Sequence, residues 1–218
     1  MKLPITLSDV EHMKADLRAA LPEVKSSHRV EALARGLGWS TNAAMRSSLG
    51  SGPVEAGADE DAFLEYLHEH SFEAPRGCMT RILAKSGIRR AMDLEPALTH
   101  FGYGVYRDRK QTPEERRAKF AENRAKMLES FAADEFARAV AYLSQFGRRK
   151  TINLKSGSYG LKHGAERFVG GYVANGMLIA AALALGFSAR PTHPDSPNAF
   201  FNISSRLIAA SDHHARAA

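Results

Sequence analysis

Residues 148–167 combine six lysine and arginine side chains with a single acid, Glu166, and intersperse hydroxyl groups among them. Cationic side chains attract the phosphates of nucleic acid, and hydroxyl groups and N–H groups at a helix start fix a phosphate in position. The composition therefore predicts a nucleic-acid contact, to DNA or RNA, although a solvated basic face or a protein contact would need the same residues. The predicted contact residues are Arg148, Arg149, Lys150, Lys155, Ser158, Tyr159, Lys162, His163 and Arg167.

A second pattern, in residues 33–46, is typical of two helices joined by a tight turn. Ala34 and Gly38 lie four residues apart, which lets two helices cross closely and lets the chain turn between them. In a DNA-binding helix-turn-helix, the second helix would offer Thr41, Asn42 and Arg46 to a groove. A plain helical hairpin that packs on the core explains the same pattern, and the segment has few positive charges.

Metal chemistry is a third possibility. His163 and Glu166 lie three residues apart, so on a helix they share a face, and with a third ligand they could hold a metal that activates water. The further candidate ligands are His193, Asp195, His213 and His214. Their spacing matches no standard zinc signature, and neighbouring Lys162 and Arg167 would repel a cation. We therefore expect no metal and no cofactor, and a metal-dependent hydrolase is the weakest of the alternatives.

Other catalytic classes lack their motifs. The sequence has no phosphate-binding loop with its lysine and no G-x-S-x-G, and Cys78 with a distant histidine is a weak indication of a thiol nucleophile. We expect a protein that is not an enzyme. The single cysteine cannot form an internal disulfide and favours a reducing compartment. The N-terminus does not resemble a signal peptide, and the apolar run 176–187 is too short to span a bilayer, so we expect a cytoplasmic protein without a membrane partner.

Charge is unevenly distributed along the chain. Residues 1–100 contain 12 Lys/Arg and 14 Asp/Glu, whereas residues 101–218 contain 18 and 10, which accounts for the net charge of +6. A basic region of this kind attracts anionic polymers without sequence specificity. The asymmetry therefore assigns the predicted nucleic-acid contact to the C-terminal half.

Apolar spacing and caps predict a mainly α fold, a helical bundle with a few short strands. Helices are expected from a Ser8 cap to Pro22, over 29–37, from a cap at Ser40 or Thr41 to Leu49, from Asp59, over 78–86 up to Gly87, and over 91–98. Residues 50–58 are expected to form a loop or linker because they are rich in glycine and serine. We therefore expect two domains, an N-terminal module over 1–50 and a helical body over 59–208.

The body is expected to be organised around one long helix, 113–146. Thr112, Pro113 and two glutamates favour its start, and Gly147 its end. Its predicted buried side is Phe120, Met127, Phe131, Phe136, Val140 and Leu143. The elements predicted after it are a strand 151–154, a turn 155–158, a helix 159–168 capped by Ser158, a buried helix 172–185, a loop 187–198 and a strand 199–203. Asn175, a lone amide in the buried helix, is expected to bond a neighbouring backbone group.

Two segments resemble known proteins. Ser27-His28-x-x-Glu31-Ala32-Leu33-Ala34-x-x-Leu37-Gly38-Trp39 resembles a small helical module of bacterial and plasmid proteins, some of them described as glyoxalase-related. The resemblance implies a helical accessory module and no catalytic residues. Tyr159-Gly-Leu-Lys-His163-Gly-Ala-Glu166 with Tyr172-Val-Ala-Asn175-Gly176-x-x-Ile179-Ala-Ala, within residues 148–205, is similar to segments of uncharacterised proteins of bacterial plasmids and integrative elements. That similarity implies a mobile-element context.

Together these patterns predict a nucleic-acid-binding accessory or regulatory protein of a bacterial mobile element. The alternative is a protein-interaction module, either a subunit of a nucleoprotein complex or an inhibitor of a host defence complex. In that case the basic face would mimic or mask a nucleic-acid site.

Overall fold

The computed structural model describes residues 1–106 and 110–207. About 55% of these residues are helical and the strands are few, so the expected mainly α class is confirmed. The chain divides into two compact units, Met1–Gly87 and Ile88–Ala218, and the division falls within a helix. The predicted boundary at residues 50–59 stays a prediction.

The first unit is built from helices and one small sheet. Its elements are β1 (Lys2–Ile5), α1 (Leu7–Ala20), α2 (Ser26–Gly36), α3 (Asn42–Gly50), β2 (Val54–Gly57), α4 (Glu60–Glu69) and the start of α5 (Cys78–Leu94). β1 and β2 pair antiparallel, with Leu3 opposite Ala56. The loop expected over residues 50–58 is therefore wrong in part, because long-range pairing with the N-terminus makes residues 54–57 a strand.

The start of α1 and the end of α5 differ from expectation. Thr6, and not Ser8, caps α1: its hydroxyl accepts from the Asp9 N–H while the Asp9 carboxylate accepts from the Thr6 N–H, a reciprocal capping box. α5 does not end at Gly87 but continues to Leu94. Ile88 and Ala91 are fully buried, and their burial outweighs the roughly 1 kcal/mol that an interior glycine costs.

α2 ends in a Schellman turn that leads into α3. The Gly38 N–H donates to Arg35 O and the Trp39 N–H to Ala34 O, while Gly38 adopts φ +94°. This left-handed conformation favours glycine and explains its place in the predicted turn. Thr41 caps α3 as expected, because its hydroxyl accepts from the Ala44 N–H at 3.1 Å. A turn between two helices is therefore present at 37–41, and the finer helix-turn-helix assignment stays a prediction.

The second unit combines a helical core with a three-stranded sheet. Its elements, after the end of α5, are β3 (Leu98–Thr99), β4 (Gly102–Tyr103), α6 (Pro113–Lys126), α7 (Ser130–Leu143), β5 (Phe146–Gly157), α8 (Ser158–Val169), α9 (Asn175–Ala184), β6 (Ala189–Pro191) and β7 (Ala199–Leu207). β3 and β4 form a hairpin, and the other strands form an antiparallel sheet in the order β5-β7-β6. β5 is thus an edge strand of twelve residues, much longer than the predicted strand 151–154.

The single long helix expected over 113–146 is wrong, because the chain breaks between Met127 and Glu129. Its start is confirmed: Thr112 and Glu115 form a capping box with Pro113 in the first turn. α6 buries no residue completely, whereas α7 has a buried face that includes Phe136, Val140 and Leu143. Phe131 was expected on that buried face, yet it is 47% exposed, because α7 buries the face that carries Ala132, Phe136 and Val140.

The core of this unit lies between α7 and α9, with α8 packed against both. α9 is buried along nearly its whole length, as its composition predicts, but it begins at Asn175 and not at Tyr172. Phe201 and Ile203 of β7 are also buried. Gly164 lets α8 approach Tyr142 of α7, because an added Cβ would lie 2.3 Å from the tyrosine hydroxyl. This packing fixes the position of α8, which carries most of the predicted contact residues.

Candidate functional site

The predicted cationic residues lie on two consecutive elements. Arg148, Arg149, Lys150 and Lys155 all lie on β5 and are exposed, and we call this group the basic strand. Arg148 donates to Gly186 O at 3.4 Å. Among the described residues, no carboxylate forms an ion pair with Arg149, Lys150 or Lys155. Their charge is therefore available to a ligand.

The irregular pairing of β5 sets the backbone of the basic strand. Arg148 is opposite Ile203 and Asn153 is opposite Phe201. The chain therefore advances five residues along β5 where it advances only two along β7. The intervening residues form a bulge, which bends the strand and leaves residues unpaired. Asn153 fixes the end of the bulge: its amide donates to Ile203 O at 3.2 Å, and its oxygen accepts from the Lys155 N–H at 3.1 Å. Arg149, Lys150 and Thr151 lie within the bulge and are exposed.

α8 begins directly after the basic strand, and its first residue needs a correction. Ser158 was expected to cap the helix and to contact phosphate, but Gly157 occupies the cap position and Ser158 is fully buried. The Ser158 hydroxyl accepts from the Ala199 N–H at 3.1 Å. Ser158 therefore joins α8 to the start of β7 and is not exposed to a ligand.

Lys162, His163 and Glu166 form one hydrogen-bonded group on α8. Lys162 is 7% exposed and its ammonium lies 2.8 Å from Glu166 Oε1, while His163 Nδ1 lies 2.6 Å from Glu166 Oε2. Glu166 Oε1 also accepts from the Val173 N–H. Burial raises the pKa of Glu166, but the hydrogen bonds from Lys162, Val173 and His163 outweigh it and hold the pKa below its usual range. Lys162 is thus a neutralised cation, unlike exposed Arg167 on the same helix.

A cavity of about 450 Å³ opens beside this group, and we call it the Lys162 pocket. Its lining is Lys162 together with His100, Phe101, Asn123, Tyr159, Tyr172, Ala174, Asn175, Pro197 and Asn198. Tyr159 is 59% exposed and Tyr172 is 62% exposed, so two aromatic rings stand at its rim. The Lys162 ammonium lies 4.8 Å from the centre of the Tyr172 ring, a cation–π distance.

The wall opposite α8 is organised by a buried acid. Glu135 of α7 is 5% exposed, and its Oε2 lies 3.0 Å from His100 Nε2 and accepts from the Ala174 N–H at 2.9 Å. The Gly176 N–H donates to His100 O at 3.1 Å. A Cβ on Gly176 would lie 1.8 Å from Thr99 O, so only glycine allows the chains to approach this closely. The pocket wall is therefore held by backbone contacts and a buried carboxylate.

Three asparagines line the Lys162 pocket with hydrogen-bonding capacity unused. The Asn175 amide donates to Pro197 O at 2.8 Å, which confirms the backbone bond expected for this residue, while its Oδ1 is buried without a partner among the described residues. Asn123 donates to Lys119 O, and the side chain of Asn198 makes no hydrogen bond within the described part of the chain. The pocket can thus both donate and accept hydrogen bonds.

A larger cavity of about 730 Å³ in the same unit contains none of the predicted contact residues. Charged residues of both signs line it, among them Glu95, Arg116 and Arg117, with Tyr103. Burial raises the pKa of the Tyr103 hydroxyl, and the nearby Glu95 carboxylate raises it further. Tyr103 is therefore a neutral phenol at physiological pH.

The residues predicted to read DNA from α3 lie in the first unit and have partners there. The Thr41 hydroxyl is used in capping, the Asn42 N–H donates to Glu31 at 2.9 Å, and Arg46 pairs with Glu11 at 3.2 Å. Two carboxylates therefore lie close to the predicted reading face, which weakens its attraction for phosphate.

The metal-ligand candidates do not come together in the described residues. His163 and Glu166 bond each other, and His193 Nδ1 lies 2.9 Å from Pro194 O. His213 and His214 lie outside the described residues. Within residues 1–106 and 110–207, no three His, Cys, Asp or Glu side chains are grouped so that they could hold a metal ion.

Comparisons with known proteins give no relatives: no family model matches the chain, and neither a curated protein nor a solved structure is significantly similar to it. None of the described helices has the length and apolarity that a bilayer crossing requires.

Sequence reasoning found α8 and the basic strand but missed most of the Lys162 pocket. His100, Asn123, Glu135 and Asn198 belong to no recognisable motif, and they are far apart along the chain. Tyr159 and Lys162 of the pocket were predicted as contact residues, and Asn175, a polar residue before a run of apolar ones, was a further local signal.

Proposed function

We propose that the protein binds single-stranded nucleic acid, DNA or RNA, through the basic strand and the adjoining Lys162 pocket. One juxtaposition carries the proposal: exposed cations at Arg149, Lys150 and Lys155, which have no ion-pair partner in the described part of the chain, directly precede a helix whose first turn presents the exposed ring of Tyr159. Single-strand binding proteins combine these two features, a cationic path for the backbone and aromatic rings on which bases stack.

Single strands suit the site better than a duplex. In a duplex the base faces are stacked on each other, so the exposed rings of Tyr159 and Tyr172 would have no base to cover. The basic strand also follows a bulged sheet edge, and it is not a helix that could enter a major groove. A DNA-reading role for Thr41, Asn42 and Arg46 stays a prediction and is not needed by this proposal.

The cellular role that we propose is an accessory or regulatory protein of a bacterial mobile element. It is supported by the resemblance of residues 148–205 to plasmid and integrative-element proteins, a segment that includes both the basic strand and α8. Neighbouring genes for replication, transfer or anti-defence functions would support this role, and a metabolic operon would contradict it.

Charge reversal tests the binding proposal. The double variant Arg149→Glu/Lys150→Glu should bind a fluorescein-labelled single-stranded oligonucleotide at least roughly 10-fold more weakly than the wild type, because two phosphate contacts become repulsions. The matched control is Arg18→Glu/Lys25→Glu, which changes the net charge equally at two exposed residues of the first unit. Fluorescence anisotropy with DNA and RNA strands measures both. Equal losses in the two variants, or no loss in either, would contradict the proposal.

A protein partner is the second candidate, and the edge of the sheet favours it. Among the described strands β5 pairs only with β7, so its other edge is available for an added strand, and Leu154 is 58% exposed on it. A partner protein that co-purifies after nuclease treatment with the wild type but not with Thr151→Pro would support this candidate. Unchanged recovery with the variant would contradict it.

A further inference from the structure

We infer that the Lys162 pocket holds the base of one nucleotide while the basic strand holds the phosphates, so that the pocket, and not the strand, sets base preference. The inference rests on the proposed function and specifies which part of a nucleotide each surface takes. Three properties of the pocket lead to it: its charge, its rim and its unused hydrogen-bonding groups.

The charge of the pocket disfavours phosphate as its ligand. Its one ammonium, Lys162, is already paired with Glu166 at 2.8 Å. The next acid, Glu135, lies behind His100 and brings a second negative charge close to the wall. A phosphate would thus meet a neutralised Lys162–Glu166 pair and one further carboxylate, whereas the cations of the basic strand form no ion pair with a carboxylate among the described residues. The pocket therefore favours a neutral ligand.

The rim of the pocket favours a flat ligand. The Lys162 ammonium lies over the Tyr172 ring, 4.8 Å from its centre, and the Arg138 guanidinium holds the backbone of the same residue by donating to Tyr172 O at 3.1 Å. The Tyr159 ring meets the His163 ring edge-on, with the centroids 4.7 Å apart. Both tyrosines remain more than half exposed, so each has ring surface free for stacking. Two pre-positioned aromatic rings at a pocket mouth match the planar base of a nucleotide.

The interior of the pocket favours a ligand with hydrogen-bonding edges. Asn198 has a complete carboxamide without a partner among the described residues, and Asn123 has an unused Oδ1. A carboxamide offers a donor and an acceptor side by side, which is how asparagine pairs with the edge of a base. The volume of about 450 Å³ lies within the range of small-ligand pockets. A single nucleoside therefore fits in size, polarity and shape.

An oligonucleotide that lacks bases distinguishes the contribution of the pocket to affinity from that of the basic strand. Oligonucleotides of equal length are compared with and without bases at their central positions, so that the phosphates are identical. The wild type should bind the strand with bases roughly 10-fold more tightly, as stacking on one or two rings provides. Tyr172→Ala should remove most of this difference and leave binding of the abasic strand unchanged, while Tyr172→Phe should retain it. Phe168→Ala is the control, since Phe168 is an exposed aromatic of α8 outside the pocket.

The outcomes distinguish this inference from the proposed function. Equal affinity of the wild type for both strands, or equal loss of both in Tyr172→Ala, would overturn the base pocket and leave nucleic-acid binding intact. Failure to bind either strand would overturn the proposed function. The pocket is then decided by titrating free nucleosides in NMR: shifts confined to residues such as Tyr172, Asn198 and Ala174 support it, and their absence overturns it.

Discussion

At the residue scale, the group around Glu166 contributes both to the site and to stability. Lys162 and Glu166 are 9% and 20% exposed in their side chains, so the pair is largely removed from water. Replacing Glu166 by glutamine would leave the Lys162 ammonium buried without its counter-charge, which should cost roughly 3 kcal/mol of unfolding free energy at neutral pH. Chemical denaturation measures this loss. A loss as small as that of the exposed control Glu122→Gln would contradict the arrangement.

The pH dependence of this group has a definite sign. The pKa of Glu166 is lowered in the folded state from its ordinary value of 4.5, so the unfolded chain takes up a proton first as the pH falls. The stabilisation is therefore complete above pH 4.5 and is lost as the pH falls from there through the folded-state pKa. The difference in unfolding free energy between the wild type and Glu166→Gln should shrink over that window. A difference that stays constant into strong acid would exclude Glu166 as its source.

Glycine at position 176 provides a second test at this scale. An added Cβ would lie 1.8 Å from Thr99 O and 2.7 Å from His100 O, both backbone atoms that cannot rotate away. Gly176→Ala should therefore lower the unfolding free energy by about 3 kcal/mol or more, at the upper end of overpacking. Gly160→Ala is the matched control in α8, because no atom lies within 4 Å of its added Cβ, and it should be neutral or slightly stabilising. Thermal unfolding compares the two, and similar melting temperatures would contradict the close approach.

At the scale of elements, α6 has no completely buried residue and so depends on polar contacts. The Arg124 guanidinium donates to three carbonyls, Met92 O at 2.9 Å, Pro96 O at 2.8 Å and Leu98 O at 3.0 Å. Lysine cannot make these bonds together, because its ammonium is a single point on a flexible stem. Arg124→Lys should thus weaken the attachment of α6 by about 2 kcal/mol, as for hydrogen bonds to charged groups.

Hydrogen exchange measures this attachment. Amides of α6 should exchange about 30-fold faster in Arg124→Lys, the rate equivalent of that loss, while amides of α9 should change little. Arg117→Lys is the control, because within residues 1–106 and 110–207 Arg117 pairs only with the exposed Glu114. Because Asn123 lies in α6 and lines the Lys162 pocket, a loosened α6 should also weaken nucleoside binding. Unchanged exchange in α6 would mean that other contacts hold the helix.

Elements were predictable from sequence where their signals are local. The capping box of α6, the Thr41 cap of α3 and the apolar run of α9 each lie within a few residues, and each was found. The break at 127–129 was not found, because it contains neither glycine nor proline and the apolar spacing on each side is helical. The β1–β2 pairing joins residues 2–5 to 54–57, and no local pattern specifies such a partner.

The same difference between local and long-range signals explains which parts of the candidate site were predictable. Arg149, Lys150 and Lys155 are close together in sequence, so composition alone revealed them. The pocket is different, because His100, Asn123, Tyr172 and Asn198 become neighbours only when four separate segments meet. Residue type alone also does not predict burial. Ser158 and Lys162 were grouped with the exposed cations, although packing of α8 buries both. The sequence therefore predicted the charge of the contact residues but not their arrangement in space.

At the scale of the whole molecule, the two compact units differ in their net charge. Residues 1–87 contain 10 Lys/Arg and 12 Asp/Glu, whereas residues 88–218 contain 20 and 12. The first unit is slightly acidic and should repel phosphate weakly, so it does not compete for the ligand. Binding should therefore depend on the second unit, and within it on the cations that have no carboxylate partner among the described residues.

The dependence of binding on salt measures how many of those cations act. If Arg149, Lys150, Lys155 and Arg167 each neutralise one phosphate of a single strand, the slope of log affinity against log salt should be about −3. Affinity should then fall about 50-fold between 50 and 200 mM salt, and the slope should be roughly halved in Arg149→Glu/Lys150→Glu. Tyr172→Ala should keep the wild-type slope while losing affinity, because stacking releases no counterions. An unchanged slope in the charge-reversed protein would mean that the phosphates lie on another surface, whatever the loss of affinity.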